Sequence, residues 1–307
     1  MSVHFCGLEL EHPIINASGT FDAIAARRAF GAELIEHFPF SAFVSKTVTL
    51  APRQGNPPPR LWEVAGGMMN SIGLPNKGLD GYLAQDLPAL ATLPVPLIVN
   101  VMGFSRGEVA QLVRALADRA EVAAVELNVS CPNVETGLVM GADPREIALL
   151  MEAVRPLTDK PLIVKLTPNA SDVAAVARAA EQGGASALSL INTIRGMALH
   201  PRTGAPWLGG GTGGISGPAV RAVAVAQTSA VCQAVRIPVI GMGGVQSGRD
   251  AHDLIAVGAT LVAVGTESFR DPAAGARIAS ELEPRRLNTK IPVCGSRASA
   301  TGSGRGS

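Results

Sequence analysis

The sequence is short of the residues that whole classes of protein need. Its four cysteines, Cys6, Cys131, Cys232 and Cys294, lie far apart and form no C-x-x-C pair. That spacing argues against a zinc site, an iron–sulfur cluster within the chain, and a disulfide framework. Charge of one sign is missing too, since 26 Lys and Arg stand against 25 Asp and Glu for a net of +1. Such a balance gives no field for gripping nucleic acid or a membrane surface. No apolar run reaches the ~20 residues needed to cross a bilayer. Residues 1–12 alternate polar and apolar side chains, unlike a secretory signal. These absences predict a soluble protein of the reducing cytoplasm, with neither nucleic acid nor membrane among its partners.

What is present is a recurring unit. A short run of β-branched and small apolar residues is followed by a polar or Gly-rich break and then by an Ala-rich segment with helical spacing. Strand candidates are residues 14–17, 43–47, 97–101, 122–128, 162–166, 187–191, 239–241 and 261–264. Helix candidates are 23–30, 79–90, 105–117, 144–156, 171–182, 217–235, 248–257 and 272–282, several opening on Ser, Asp or Gly. Wholly apolar strands alternating with helices imply a parallel sheet covered on both sides. Eight such units in 307 residues predict an α/β fold of the (β/α)8 TIM-barrel type, with an open doubly wound sheet as the alternative. Residues 1–285 are expected to form this one domain, and 286–307 a C-terminal tail with a disordered Ser/Gly-rich end. A hairpin over residues 3–10, turning at Gly7, is expected to plug one end of the barrel. Two excursions, 50–77 and 192–216, exceed ordinary βα loops and are read as functional insertions.

In such a barrel the site lies at the C-terminal ends of the strands. The polar residues there are Ser18-Gly19, Lys46-Thr47, Asn100, Asn128 with Cys131 and Asn133, Lys165 with Thr167, Asn192-Thr193, Gly243-Gly244 and Gly265-Thr266. Few carboxylates and no helical His pair are among them, which weighs against paired-carboxylate glycoside hydrolysis and a metal site. Two lysines in apolar segments suit an anion or an electron-rich ring better than simple snorkelling. Amides in corresponding places suit the carbonyl and N–H edges of a ring. The glycines after strands seven and eight can cradle a phosphate with backbone N–H groups. The run 209–214 reads equally as a mobile loop or a ligand contact. Cys131, in the loop Asn128-Val129-Ser130-Cys131-Pro132-Asn133, is a reactive-thiol candidate, and its surroundings leave base and nucleophile both open.

Together, Asn128–Asn133, Asn-Ser-Ile-Gly-Leu-Pro-Asn (70–76), Ser-Lys-Thr-Val-Thr (45–49), Val-Lys-Leu-Thr-Pro-Asn (164–169), Ile-Asn-Thr (191–193) and Gly-Met-Gly-Gly-Val (241–245) resemble the class 1 dihydroorotate dehydrogenases. The resemblance runs from about residue 3 to 285 in order and spacing. Residues 192–197 and 213–218 resemble the NAD-linked class 1B catalytic subunit rather than the fumarate-using class 1A enzyme. The family implies FMN, held by Ala17, Ser18, Gly19, Lys46, Thr47, Asn100, Asn128, Lys165, Ile191, Gly217, Gly243, Gly244, Gly265 and Thr266. It implies orotate held by Lys46, Asn70, Ile72, Gly73, Leu74, Asn128, Asn133, Asn192 and Thr193, with Cys131 as base and Lys165 stabilising charge on the flavin. Ile72 stands where many relatives have Met, a conservative change. The resemblance also implies a homodimer core joined by an electron-transfer subunit carrying FAD and a 2Fe-2S cluster, a heterotetramer. The loop 130–141, which carries Gly137 and Gly141 as hinge candidates, is expected to close over the substrate. Competing readings are a flavin-dependent dihydropyrimidine reductase, a barrel aldolase with Lys165 as Schiff-base former, and a non-catalytic scaffold.

Overall fold

The computed structural model describes residues 2–130 and 140–282. The strands in chain order are Val3–Phe5 (β1), Leu8–Leu10 (β2), Ile14–Asn16 (β3), Phe43–Val44 (β4), Leu61–Val64 (β5), Gly67–Asn70 (β6), Leu97–Val101 (β7), Ala124–Asn128 (β8), Leu162–Lys165 (β9), Ala187–Leu190 (β10), Ile194–Gly196 (β11), Gly213–Ser216 (β12), Val239–Met242 (β13) and Leu261–Val264 (β14). The helices are Ala23–Phe30 (α1), Glu33–Glu36 (α2), Gly78–Gly81 (α3), Leu87–Leu90 (α4), Arg106–Ala117 (α5), Pro144–Val154 (α6), Val173–Gln182 (α7), Arg221–Ala234 (α8), Gly248–Ala256 (α9) and Ala274–Glu281 (α10).

One parallel sheet runs β3-β14-β13-β10-β9-β8-β7-β4, so each of its strands lies beside the next in chain order and the last returns to the first. This is the (β/α)8 barrel, and the open doubly wound alternative falls. The seam between β3 and β4 is closed by a side chain in place of a ladder. Asn16 donates from Nδ2 to Val44 O (2.8 Å) and accepts Val44 N–H at Oδ1 (2.8 Å). A primary amide offers the donor and acceptor of a peptide group, so it can stand in for a missing strand residue.

Alternation along the strands sorts the core into two layers. Ile15, Ile98, Ile163, Ile240 and Leu261 fill the barrel interior together with Phe5 and Leu10 of the hairpin, which plugs the barrel as expected. Leu97, Val99, Val125, Leu127, Leu162 and Val164 face outward and pack with buried helix residues such as Leu112, Ile147, Val176 and Leu254.

Three boundaries differ most from expectation, each for a local reason. The strand expected over 43–47 ends at Val44, because Ser45 takes the N–H of Asn100 on its side-chain Oγ (3.1 Å) instead of continuing the ladder. The helix expected over 79–90 is broken by a π turn, Tyr82–Asp86, which precedes Pro88. Proline has no N–H for the carbonyl four residues earlier, and the register shifts. The helix expected from 217 begins at Arg221, after a 3-10 turn that Pro218 opens.

The two excursions carry a second sheet. Its order is β11-β12-β6-β5, antiparallel throughout. Among the described residues no helix is long and apolar enough to cross a membrane.

Candidate functional site

The strand ends and the excursion sheet meet at one mouth of the barrel. Asn70 of β6 donates to Gly214 O (3.3 Å) of β12, Thr266 after β14 donates to Ser216 Oγ (2.8 Å), and Asn169 after β9 donates to Thr193 O (3.2 Å). Ser18 after β3 donates to Ser45 O (2.8 Å). These bonds link Ser18, Asn70, Thr193 and Thr266 to neighbouring strand ends and to the excursion sheet. Cys131 and Asn133, with the rest of 131–139, lie outside the described residues. Gly141, expected as a hinge, is buried instead. Its N–H donates to Val129 O (2.8 Å), and a Cβ there would press on Val129. It anchors its end of the loop.

The two lysines are unlike one another. Lys165 is 5% exposed at the end of β9, in register with Asn128 on β8 and Ser189 on β10. Lys46 is exposed beside the buried Thr47. Next to Lys165, Asn192 donates to Ser130 Oγ (2.8 Å) and more weakly to Asn128 Oδ1 (3.4 Å), joining the ends of β8 and β10.

Below this layer the barrel interior is polar in a way the sequence reading missed. Glu126, 3% exposed, accepts from Asn100 Nδ2 (2.5 Å) and from Ser189 Oγ (2.7 Å). The carboxylate fixes the amide of Asn100, whose Oδ1 is buried with no partner. A buried acceptor without a protein partner is open to a donor from a ligand or a water. Glu126 could have been found by parity, since it sits two residues before Asn128 and therefore on the same face of β8. Ser45, Asn169 and Ser216 were also missed; their contacts join segments distant in sequence.

The loop 70–74 is held rigid. Gly73 (φ 73°) and Leu74 (φ 56°) are consecutive left-handed residues. Arg53 Nε donates to Gly73 O (3.2 Å), Asn76 Nδ2 to Leu74 O (2.9 Å), and Asn56 N–H to Ile72 O (3.0 Å). The glycine run 209–214 is strand at its end. Gly213 and Gly214 lie in β12, where a Cβ on Gly214 would collide with the Thr193 side chain.

Further glycines follow β12, β13 and β14. Gly217 (φ 90°), Gly243 (φ 131°) and Gly244 (φ 74°) adopt backbone that other residues avoid, and a Cβ on Gly244 would meet Gly217 O and Arg221. Gly265 and Thr266 begin the 3-10 turn Thr266–Phe269. Bare backbone at adjacent strand ends is what a phosphate cradle requires. Among the described residues no group of three or more His, Cys, Asp or Glu is placed to hold a metal.

The eight-stranded parallel sheet, with glycines, a buried lysine and amides at its strand ends, places the chain in the class of (β/α)8 barrels. The particular family comes from comparison with known proteins. The dihydroorotate dehydrogenase family model matches residues 1–285, and the chain belongs to that family. It is 43% identical over 295 residues to the catalytic subunit of dihydroorotate dehydrogenase B (NAD(+)) from Citrifermentans bemidjiense, covering 95% of this chain and 94% of that one. The corresponding subunit from Geobacter sulfurreducens is 45% identical over 287 residues, 92% of each chain. A Solibacter usitatus protein named for the fumarate-linked A type is 43% identical over 286 residues, again 92% of each.

Proposed function

We propose that this chain is the FMN-bearing catalytic subunit of an NAD-linked dihydroorotate dehydrogenase. It oxidises dihydroorotate to orotate in pyrimidine biosynthesis. The observation that carries the reading is the meeting, at one mouth, of the glycine cradle, the buried Lys165 and the orphaned acceptor of Asn100. A flavin mononucleotide fits each of them: a phosphate for the cradle, an electron-rich ring for the lysine and a ring N–H for the amide oxygen. Gly217, Gly243, Gly244, Gly265 and Thr266 would hold the phosphate. Ala17, Ser18, Gly19, Thr47, Asn100, Asn128 and Ile191 would line the rest. Bound FMN supplies a two-electron acceptor for the hydride leaving C6 of the substrate.

The chain's own residues do the remainder. The Cys131 thiolate takes the proton from C5. Lys165 offers a fixed positive charge where negative charge gathers. The amides of Asn70, Asn128, Asn133, Asn192 and the hydroxyl of Thr193 orient the pyrimidine edges. Lys46 and the backbone of Ile72, Gly73 and Leu74 receive its carboxylate. A homodimer core with an FAD/2Fe-2S electron-transfer subunit would carry the electrons to NAD in the cytoplasm.

The test is the absorption spectrum of the purified chain and its bleaching by dihydroorotate without oxygen. A colourless chain, or a flavin that dihydroorotate leaves oxidised, defeats the reading. The fumarate-linked relative makes the acceptor a separate question. Rapid turnover of the chain alone with fumarate would overturn the NAD-linked assignment while sparing the dehydrogenase.

A further inference from the structure

The two loops assigned above to the phosphate are joined from behind by one side chain. Arg277 of α10 donates from Nη1 to Gln246 O (3.0 Å), in the segment that follows Gly243 and Gly244. Its Nη2 donates to Glu267 Oε1 (3.3 Å), next to Thr266. Its Nε donates to Asp271 Oδ2 (2.9 Å), and Nη1 reaches Glu281 Oε1 (3.1 Å). Gln246 Nε2 donates to Glu267 Oε2 (2.9 Å), and the other oxygen of Glu281 accepts Gly248 N–H (2.6 Å) at the start of α9. One guanidinium therefore ties together the loop after β13, the loop after β14 and the helices behind them.

We propose that Arg277 is a positioning residue for the cofactor phosphate, an inference that rests on the FMN reading. It fixes the spacing of the two glycine loops so that both present backbone N–H groups to one anion. It also neutralises carboxylates that would repel that anion. It does not bind the phosphate itself. Four of the five N–H groups of a guanidinium are engaged, and three carboxylates surround its single charge. Preorganised donors bind better because the ligand need not order them.

The test uses the full chain stripped of flavin and titrated with FMN and with riboflavin, which lacks the phosphate. Arg277→Met is expected to weaken FMN about tenfold, the scale on which outer supports of a ligand shell act, while riboflavin affinity stays unchanged. Added salt should restore part of the FMN loss by screening the freed carboxylates. A wild-type chain with no preference for FMN over riboflavin would remove the cradle assignment itself. A wild-type preference that Arg277→Met retains in full would overturn the clamp alone. Equal weakening of both flavins would also overturn it, since that is mere loss of structure. Should Arg277→Met fail to fold, Arg277→Lys keeps the charge but lacks the fork that reaches Gln246, Glu267 and Asp271 together, and it must show the same selective loss; an undiminished preference there counts against the proposal.

Discussion

At the scale of single residues, environment decides which polar groups react. Cys6 and Cys232 are half-buried, and burial pushes both thiols up from 9.0 to about 11. Near pH 8 they hold about a hundredfold less thiolate than an ordinary cysteine, and thiolate is the reactive form. Alkylation of the native protein is expected to leave both unmodified over times that label a free thiol fully, which peptide mass mapping reads. Rapid labelling of Cys6 or Cys232 would contradict this. Cys131 carries the opposite expectation. Cys131→Ala should keep its bound flavin and lose about 10²–10⁴-fold in turnover, the usual span for a general base. A fully active, yellow variant would exclude it as the base. Glu126 illustrates the same scale from inside the barrel, where one carboxylate sets which way Asn100 faces.

At the scale of elements, the barrel is a closed sheet with one ladder gap, and Asn16 fills it. Asn16→Leu leaves the N–H and carbonyl of Val44 buried without partners. Each such loss costs about 1–3 kcal/mol, so a loss of roughly 2–6 kcal/mol in unfolding free energy is expected. Urea denaturation checks it, and a variant within about 0.5 kcal/mol of wild type, the scatter of neutral changes, would show that the seam is closed by other means. Helix ends follow local chemistry more simply. Asp22, Ser105, Asp172 and Ser247 each accept an N–H in the first turn of the helix they precede, as N-cap residues do.

At the scale of the whole molecule, charge links folding to pH. The carboxyl of Glu281 is held below its ordinary range, chiefly by the N–H of Gly248 and then by Arg277. A depressed carboxyl stabilises the fold fully above its unfolded value of about 4, and that contribution disappears as pH falls through the folded value. Glu281→Gln should therefore be less stable than wild type at pH 7, with the gap closing in acid. Denaturant midpoints at neutral and acid pH measure this, and a gap that widens on acidification would reverse the sign. Burial lowers the value of His12. Its neutral form is therefore favoured in the fold, and its contribution declines as pH drops below about 6.5.

The sequence by itself determined the periodic part of this protein. Apolar runs for the strands, the 3.6-residue spacing of the helices and the count of eight units are local properties of the chain, read within about a dozen residues. Most of the polar strand-end residues followed from the same local pattern, because the fold places every strand end at one mouth. Only the tertiary structure decided which distant segments meet. Asn16 finds Val44 across 28 residues, Ser189 finds Glu126 across 63, and Asn70 finds Gly214 across 144. The excursion sheet was invisible for this reason. Its glycines have little strand propensity of their own, and what pairs them is a partner far along the chain. Local chemistry fixes the units; the closed barrel fixes their neighbours, since burial inside it leaves each polar group only the partners that packing brings within reach.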